Sequence, residues 1–173
     1  GQDLCFFPSG SGRLERLLKL MDEAQSSLEL AFYIYADDAC GRKVRERLVA
    51  AAKRGVDVSL IVDGFGASVA TTFLAELEQA GGKFCIFSPH WNPSYVIRNH
   101  QKIVVADARI AMLGGFNIEE DYFASPENDG WRDLAFTLEG SLVARVAAWF
   151  EQLEQWTADP HAHFRSIRRR VRN

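Results

Sequence analysis

Residues 98–122 read RNHQKIVVADARIAMLGGFNIEEDY, and the interpretation of the whole chain starts from this stretch. The run QKIVVAD is short, apolar and rich in β-branched residues, a composition typical of a mostly buried strand. A second strand is predicted for ARIAMLGG, after a tight turn at Asp107–Ala108. Two strands with so short a link indicate a β-hairpin.

Polar side chains gather at the end of this hairpin that lies opposite the turn. Residues two apart on a strand point to the same face, so His100 and Lys102 are expected to project side by side. The pair Gly114–Gly115 ends the second strand and lets a backbone or a ligand come close. Asn117 follows at the same rim. An imidazole, an ammonium and an amide beside a bare backbone predict a cradle for a phosphate.

The residue types also suit attack on a phosphodiester, which needs a nucleophile, charge stabilisation and an acid for the leaving group. Neutral imidazole makes His100 the candidate nucleophile, while Lys102 and Asn117 would hold the non-bridging oxygens. Backbone N–H groups at Gly114 and Gly115 would assist them. We expect no metal or other cofactor, because Lys102 already supplies positive charge. One imidazole cannot be nucleophile and acid in the same step, so a second is expected from elsewhere.

The remaining sequence alternates between helical and strand-like patterns. Apolar residues at helical spacing predict four helices, over 12–27, 39–54, 67–82 and 141–159. Apolar runs predict four more strands, over 27–38, 56–66, 83–89 and 131–140. Residues 1–12 are expected to form a loop, with Ser11 capping the first helix. This order predicts an α/β fold, an α/β/α sandwich with a mixed sheet.

Two regions outside the hairpin have more than one interpretation. Asp63 lies near the end of the strand predicted over 56–66, where α/β sheets place ligands. It would also suit the cap of the helix that follows this strand. Trp91 and Tyr95 stand in the loop before the hairpin, where they either contact a substrate or lipid interface or pack the loop down. Tyr35 either reaches the site from the end of its strand or belongs to the aromatic core.

The spacing of the hairpin residues resembles the HKD signature of the phospholipase D superfamily. That signature is His-x-Lys, four residues, Asp, six residues and Gly-Gly-x-Asn. Within the superfamily the chain is similar to the amino-terminal half of bacterial cardiolipin synthases, over roughly Leu14 to Trp156. The similarity is carried by FYIYADDACGRKVRERLVAAAKRGVDVSLIVDGFG, RNHQKIVVAD, GGFNI and GWRDLAFTLEG.

The resemblance implies a phosphatidyltransferase or phospholipase that forms a covalent phosphohistidine on one of two paired motifs. Asp133 stands where relatives place the acidic residue that orients the nucleophile, which completes a catalytic set with His100, Lys102 and Asn117. Asp107 is expected to stabilise the hairpin turn. The second motif would come from a homodimer mate or from a further C-terminal half. We expect one phospholipase D-like domain over residues 1–160 and a basic tail or linker over 161–173.

Composition narrows the choice of partner. The formal net charge is −3, whereas a nonspecific nucleic-acid binder carries a basic surface, so anionic phospholipid is favoured over nucleic acid. No apolar run approaches the roughly 20 residues of a membrane span, and residues 1–12 lack a secretory signal. The expected location is cytoplasmic or peripheral on the cytoplasmic membrane. A metal-independent homodimeric endonuclease and a non-catalytic scaffold are the alternatives.

Overall fold

The sheet at the centre of the molecule is built from strands β1 to β7, with helices α1 to α4 packed on its two faces. The computed structural model describes residues 4–7, 9–32, 35–63, 71–87, 102–115, 118 and 135–158. The strands are Leu4–Phe7, Ser27–Phe32, Asp57–Asp63, Lys83–Phe87, Lys102–Ala106, Ile110–Gly114 and Ala135–Glu139. The helices are Gly10–Glu23, Ala39–Lys53, Thr71–Gln79 and Ser141–Ala158.

The strand order is β1-β7-β6-β5-β2-β3-β4, and it divides the sheet into two parts. The strands β2, β3 and β4 pair in parallel, because α2 and α3 carry the chain back between them. The other neighbouring strands pair antiparallel. The predicted mixed sheet is therefore confirmed.

Apolar side chains on the two faces of the sheet form separate cores. One core joins α1, α2 and α3 to the sheet through residues such as Leu17, Leu48 and Leu74, each with 0% exposure. Burying a side chain of this size contributes about 1.5–3 kcal/mol relative to leaving it in water. The other core lies under α4, where Val143 and Phe150 have 0% exposure. This layering is the predicted α/β/α sandwich.

Two predictions at the amino-terminal end are wrong. Residues 4–7 form β1, which pairs with β7 from Leu4↔Leu138 to Phe7↔Ala135, where a loop was expected. The cap of α1 is Ser9 rather than Ser11, since the Ser9 hydroxyl accepts from the Gly12 N–H at 3.1 Å. The extra strand makes its hydrogen bonds to a distant segment, which local periodicity does not reveal.

No helix in the described part of the chain combines the length and the apolarity that spanning a bilayer requires. The cysteines Cys5, Cys40 and Cys85 form no disulfide bond in the described part of the chain, and Cys5 is exposed on β1 whereas Cys40 is buried. Residues 161–173, predicted as a basic tail, lie outside the described residues.

Candidate active site

The strand ends that carry or adjoin the predicted site residues lie at one edge of the sheet. Because β5 and β7 run opposite to the other five strands, the first residues of β5 and β7 meet the last residues of those five there. Lys102 begins β5, and Gly114 ends β6 directly opposite it. Ala135 begins β7 opposite Gly114. The residues Lys102, Gly114 and Ala135 therefore form one row across three strands.

Lys102 is almost fully buried, with 3% exposure. On β5 it alternates with Ile103, so it shares a face with Val104, which belongs to the core beneath α1, α2 and α3. A buried ammonium is costly unless hydrogen-bonding or anionic groups surround it. Gly114 carries no side chain at the opposite position, so the space there is left to other groups. This arrangement suits a site for anionic oxygen atoms.

Ile118 is held at the same edge by contacts with Tyr35 and Ala36. Ile118 forms an isolated parallel bridge with Tyr35, and the Ala36 N–H donates to the Ile118 carbonyl at 2.8 Å. Tyr35 follows β2, which flanks β5 on the side away from β6. Gly115 and Ile118 thus lie next to opposite neighbours of β5, with only residues 116 and 117 between them.

The other three predicted catalytic residues, His100, Asn117 and Asp133, lie outside the described residues. Each stands within two positions of a described residue at this edge, namely Lys102, Ile118 and Ala135 respectively. The catalytic roles of these three residues stay predictions, although described residues at this edge are their near neighbours in sequence.

The remaining candidates divide in the same way. Asp63 is the last residue of β3 and reaches the same edge, opposite Phe87 of β4, but its side chain is not among those described. Helix α3 begins at Thr71, and residues 64–70 lie outside the described part. Trp91 and Tyr95 lie outside it as well, so both interpretations of that loop remain predictions.

Asp107 lies at the far end of the hairpin, five residues from Lys102 along β5 and about 16 Å away at strand spacing. The turn occurs where predicted, with φ of 55° at Asp107 and 51° at Ala108. The Asp107 carboxylate accepts from the backbone N–H groups of Gln25, Ser26 and Ser27 and from the Ser26 hydroxyl, at 2.7–3.1 Å.

These bonds tie the hairpin turn to the loop between α1 and β2. Desolvation alone would raise the pKa of Asp107, but the donors from Ser26, Ser27 and Gln25 outweigh it and lower the pKa below its usual value. Because these bonds engage the Asp107 carboxylate far from Lys102, we infer that the role of Asp107 is to stabilise the hairpin turn.

Tyr35 belongs to the aromatic core, as one of its two interpretations predicted. Its side chain has 0% exposure, and its hydroxyl donates to the Gly41 carbonyl at 2.9 Å. Desolvation by burial raises the pKa of the phenol far above its usual range. Its backbone contact with Ile118 joins segments 83 positions apart, so no local sequence signal predicted it.

The mixed sheet and the buried lysine facing a glycine at its edge fit the expectation of a phospholipase D-like domain, and a comparison with known families identifies the class. The family described as "Cardiolipin synthase, PLD-like domain" matches residues 17–154. The chain belongs to this family.

Curated relatives are similar over most of this chain but extend well beyond it. A cardiolipin synthase from Clostridium perfringens (strain 13 / Type A) is 34% identical over 146 residues, which are 82% of this chain and 31% of the relative. The major cardiolipin synthase ClsA from Bacillus subtilis (strain 168) is 32% identical over 160 residues, 89% of this chain and 33% of the relative. The chain therefore spans about a third of the length of these relatives.

Solved structures share the fold at lower identity. The phospholipase D family member Nuc from Salmonella typhimurium is 24% identical with a TM-score of 0.61, covering 91% of this chain and 92% of that one. NucT from Helicobacter pylori is 16% identical with a TM-score of 0.68, covering 90% and 96%. Both are nearly the same size as this chain, and at these identities they show the fold alone.

Proposed function

We propose that this chain provides one half of a phosphatidyl-transferring site of the phospholipase D type, similar to that of a cardiolipin synthase. What carries the proposal is the buried Lys102 opposite Gly114, in a chain 32–34% identical to cardiolipin synthases across this region. An anionic phospholipid is the proposed substrate, and peripheral attachment to the cytoplasmic membrane follows from a substrate that resides in a bilayer.

In the proposed reaction His100 attacks phosphorus, forming a P–N bond while the P–O bond to the leaving alkoxide breaks. The alkoxide takes its proton from the histidine of a second motif. An acceptor hydroxyl then gives its proton to that second histidine and attacks the phosphohistidine, which releases His100. Lys102 and Asn117 hold the non-bridging oxygens throughout, and Asp133 orients the His100 ring. Burial of Lys102 strengthens its attraction to those oxygens, since water screens it less.

The second motif is proposed to come from a homodimer mate or from a C-terminal half. General acid catalysis contributes on the order of 10² to 10⁴ in rate, so an isolated half would be nearly inert. Neither the transfer chemistry nor the charge stabilisation proposed here calls for a metal ion.

Two arginines of α2 and one just after it are engaged within the chain. Arg42 pairs with Asp37 at 2.9 Å, and Arg47 pairs with Asp22. Just after the helix, Arg54 donates to main-chain carbonyls at the end of α1, including that of Met21 at 3.1 Å. Cations that are already engaged within the chain contribute less to phosphate binding, which supplies most nonspecific affinity for nucleic acid.

The test compares turnover of phosphatidylglycerol vesicles with cleavage of single-stranded DNA, both in EDTA. Lipid turnover without DNA cleavage is expected, and His100→Asn should reduce it to background because no other described or predicted group replaces the nucleophile. The matched control is His161→Asn, the same substitution outside the motif, which should leave turnover unchanged. Cleavage of DNA alone, or full turnover in His100→Asn, would contradict the proposal.

The second candidate is a metal-independent homodimeric endonuclease. It is favoured by the single HKD motif in this sequence. The DNA arm of the same assay distinguishes it. A scaffold without catalysis would show neither activity, even when the second motif is supplied.

A further inference from the structure

The side chain of Tyr35 is locked in place on several sides. Its hydroxyl donates to the Gly41 carbonyl at 2.9 Å, and its ring meets Phe73 edge-on with centroids 5.8 Å apart. Phe73 in turn packs under the Arg45 guanidinium, at 4.3 Å. Moving the ring would leave its buried hydroxyl without this acceptor, so the ring has one strongly preferred position.

The backbone at Tyr35 holds the end of the glycine-rich segment. The parallel bridge between Tyr35 and Ile118 and the 2.8 Å bond from Ala36 N–H to the Ile118 carbonyl both fix residue 118. The side-chain lock and this backbone contact involve the same residue, so a shift of the ring is expected to displace the backbone that holds Ile118.

Gly41 packs closely against both the Tyr35 ring and the backbone of Ala36. A Cβ at this position would lie 1.8 Å from the Ala36 carbonyl oxygen and 3.2 Å from the Tyr35 ring. Its own N–H donates to Asp38, the N-cap of α2, at 2.7 Å. The first turn of α2 therefore fits tightly against the residues that hold Ile118.

We propose that Tyr35 is a positioning residue for Asn117, acting through Ile118. The inference rests on the proposed function, in which Asn117 holds a non-bridging phosphate oxygen. Asn117 directly precedes Ile118, and the nearest described residue on its other side is Gly115, which restrains the backbone least. The Tyr35 contact thus fixes the described residue that follows Asn117, and a displacement of about 1 Å is enough to cost up to roughly 10²-fold in rate.

The first test follows the amide of Ala36 by hydrogen exchange, because this amide donates to the Ile118 carbonyl. Tyr35→Phe removes only the hydroxyl, and we expect exchange at Ala36 to accelerate about tenfold relative to the amide of Leu60 in the centre of the sheet. The matched control is Phe150→Leu, a buried aromatic in the core on the opposite face, which should leave that ratio unchanged. An unchanged ratio in Tyr35→Phe would overturn the inference.

The second test measures turnover of phosphatidylglycerol under the conditions in which the unmodified protein is active. Tyr35→Phe should lower kcat about tenfold or more with less than a twofold change in KM, because the phosphate contact strengthens in the transition state. Phe150→Leu should change neither. Faster exchange at Ala36 with an unchanged kcat would also refute the positioning role.

A failure of the proposed function has a different signature. His100→Asn should abolish turnover without changing exchange at Ala36, whatever the role of Tyr35. If the unmodified protein turns over no lipid, the affinity for vanadate, which imitates the five-coordinate phosphorus of the transition state, decides the question by ⁵¹V NMR. Weaker vanadate binding in Tyr35→Phe supports positioning, and equal binding overturns it.

Discussion

Glu29 is an acidic side chain in an unusual place, on β2 beneath α4. Its Oε2 atom is buried and accepts no hydrogen bond from the described part of the chain. Desolvation first, and then the charges of Glu151 and Glu154 on α4 and Asp57 on β3, raise its pKa to about 7. Lys83 of β4 lies 3.8 Å from Asp57 and offsets part of that charge.

This shift makes stability depend on pH near neutrality. A carboxyl whose folded pKa is above its unfolded value of 4.5 stabilises the fold fully below pH 4.5, and the contribution is lost as pH rises through about 7. Glu29→Gln imitates the protonated form. It should raise the melting temperature at pH 8 by about 2–4 °C, corresponding to roughly 1 kcal/mol after allowance for solvent screening.

Thermal melts across pH 4 to 9 check this expectation. The difference between Glu29→Gln and the unmodified protein should vanish at about pH 4.5, where both side chains are neutral. Glu15→Gln, the same change on the exposed face of α1, serves as the control. A benefit of Glu29→Gln that is equal at pH 4.5 and pH 8 would show that charge is not the cause.

Among the elements, the β5–β6 hairpin carries the site at one end and its anchor at the other. Its turn places Asp107 and Ala108 at positive φ, a backbone that costs a residue with a Cβ roughly 1–2 kcal/mol. Asp107 offsets this cost through its bonds to the loop before β2, whereas the Ala108 methyl group makes no hydrogen bond that could offset it.

Ala108→Gly should therefore stabilise the protein by about 0.5–1 kcal/mol, after the larger entropy of glycine in the unfolded chain is subtracted. Denaturant unfolding measures the change. The control is Ala50→Gly on the exposed side of α2, the same substitution in a helix, which should destabilise by about 1 kcal/mol. Destabilisation by both variants would contradict the turn geometry.

The hairpin and its site end were predictable because their signals are local. The register needs the structure, because a two-residue turn at Asp107–Ala108 would set Lys102 opposite Leu113, whereas the observed three-residue turn 107–109 sets it opposite Gly114. The layered α/β arrangement followed equally from the alternation of helical and strand patterns. Both predictions use only residues near each other in sequence.

The features that were missed depend on contacts between distant segments. Strand β1 exists because Leu4 and its neighbours pair with β7, more than 130 positions away. The bonds from residues 25–27 to Asp107 and the contact of Tyr35 with Ile118 are of the same kind. The cap of α1 was misplaced as well, since the helix begins at Gly10 and is capped by Ser9 rather than Ser11.

For the molecule as a whole, the proposed mechanism needs two motifs and this chain carries one. If a second copy supplies the other, specific activity should rise with protein concentration and level off once dimers predominate. Light scattering on the same samples gives the mass at each concentration. Activity that is high and independent of concentration in a strict monomer would contradict the need for a second motif.

Mass spectrometry of the protein quenched in base during turnover of phosphatidylglycerol detects the proposed intermediate itself. Base is used because phosphohistidine is labile to acid. We expect a phosphatidyl adduct on the peptide containing His100, and no adduct in His100→Asn. Turnover accompanied by an adduct on another residue of this chain, or by none on either histidine of the paired motifs, would contradict the proposed mechanism.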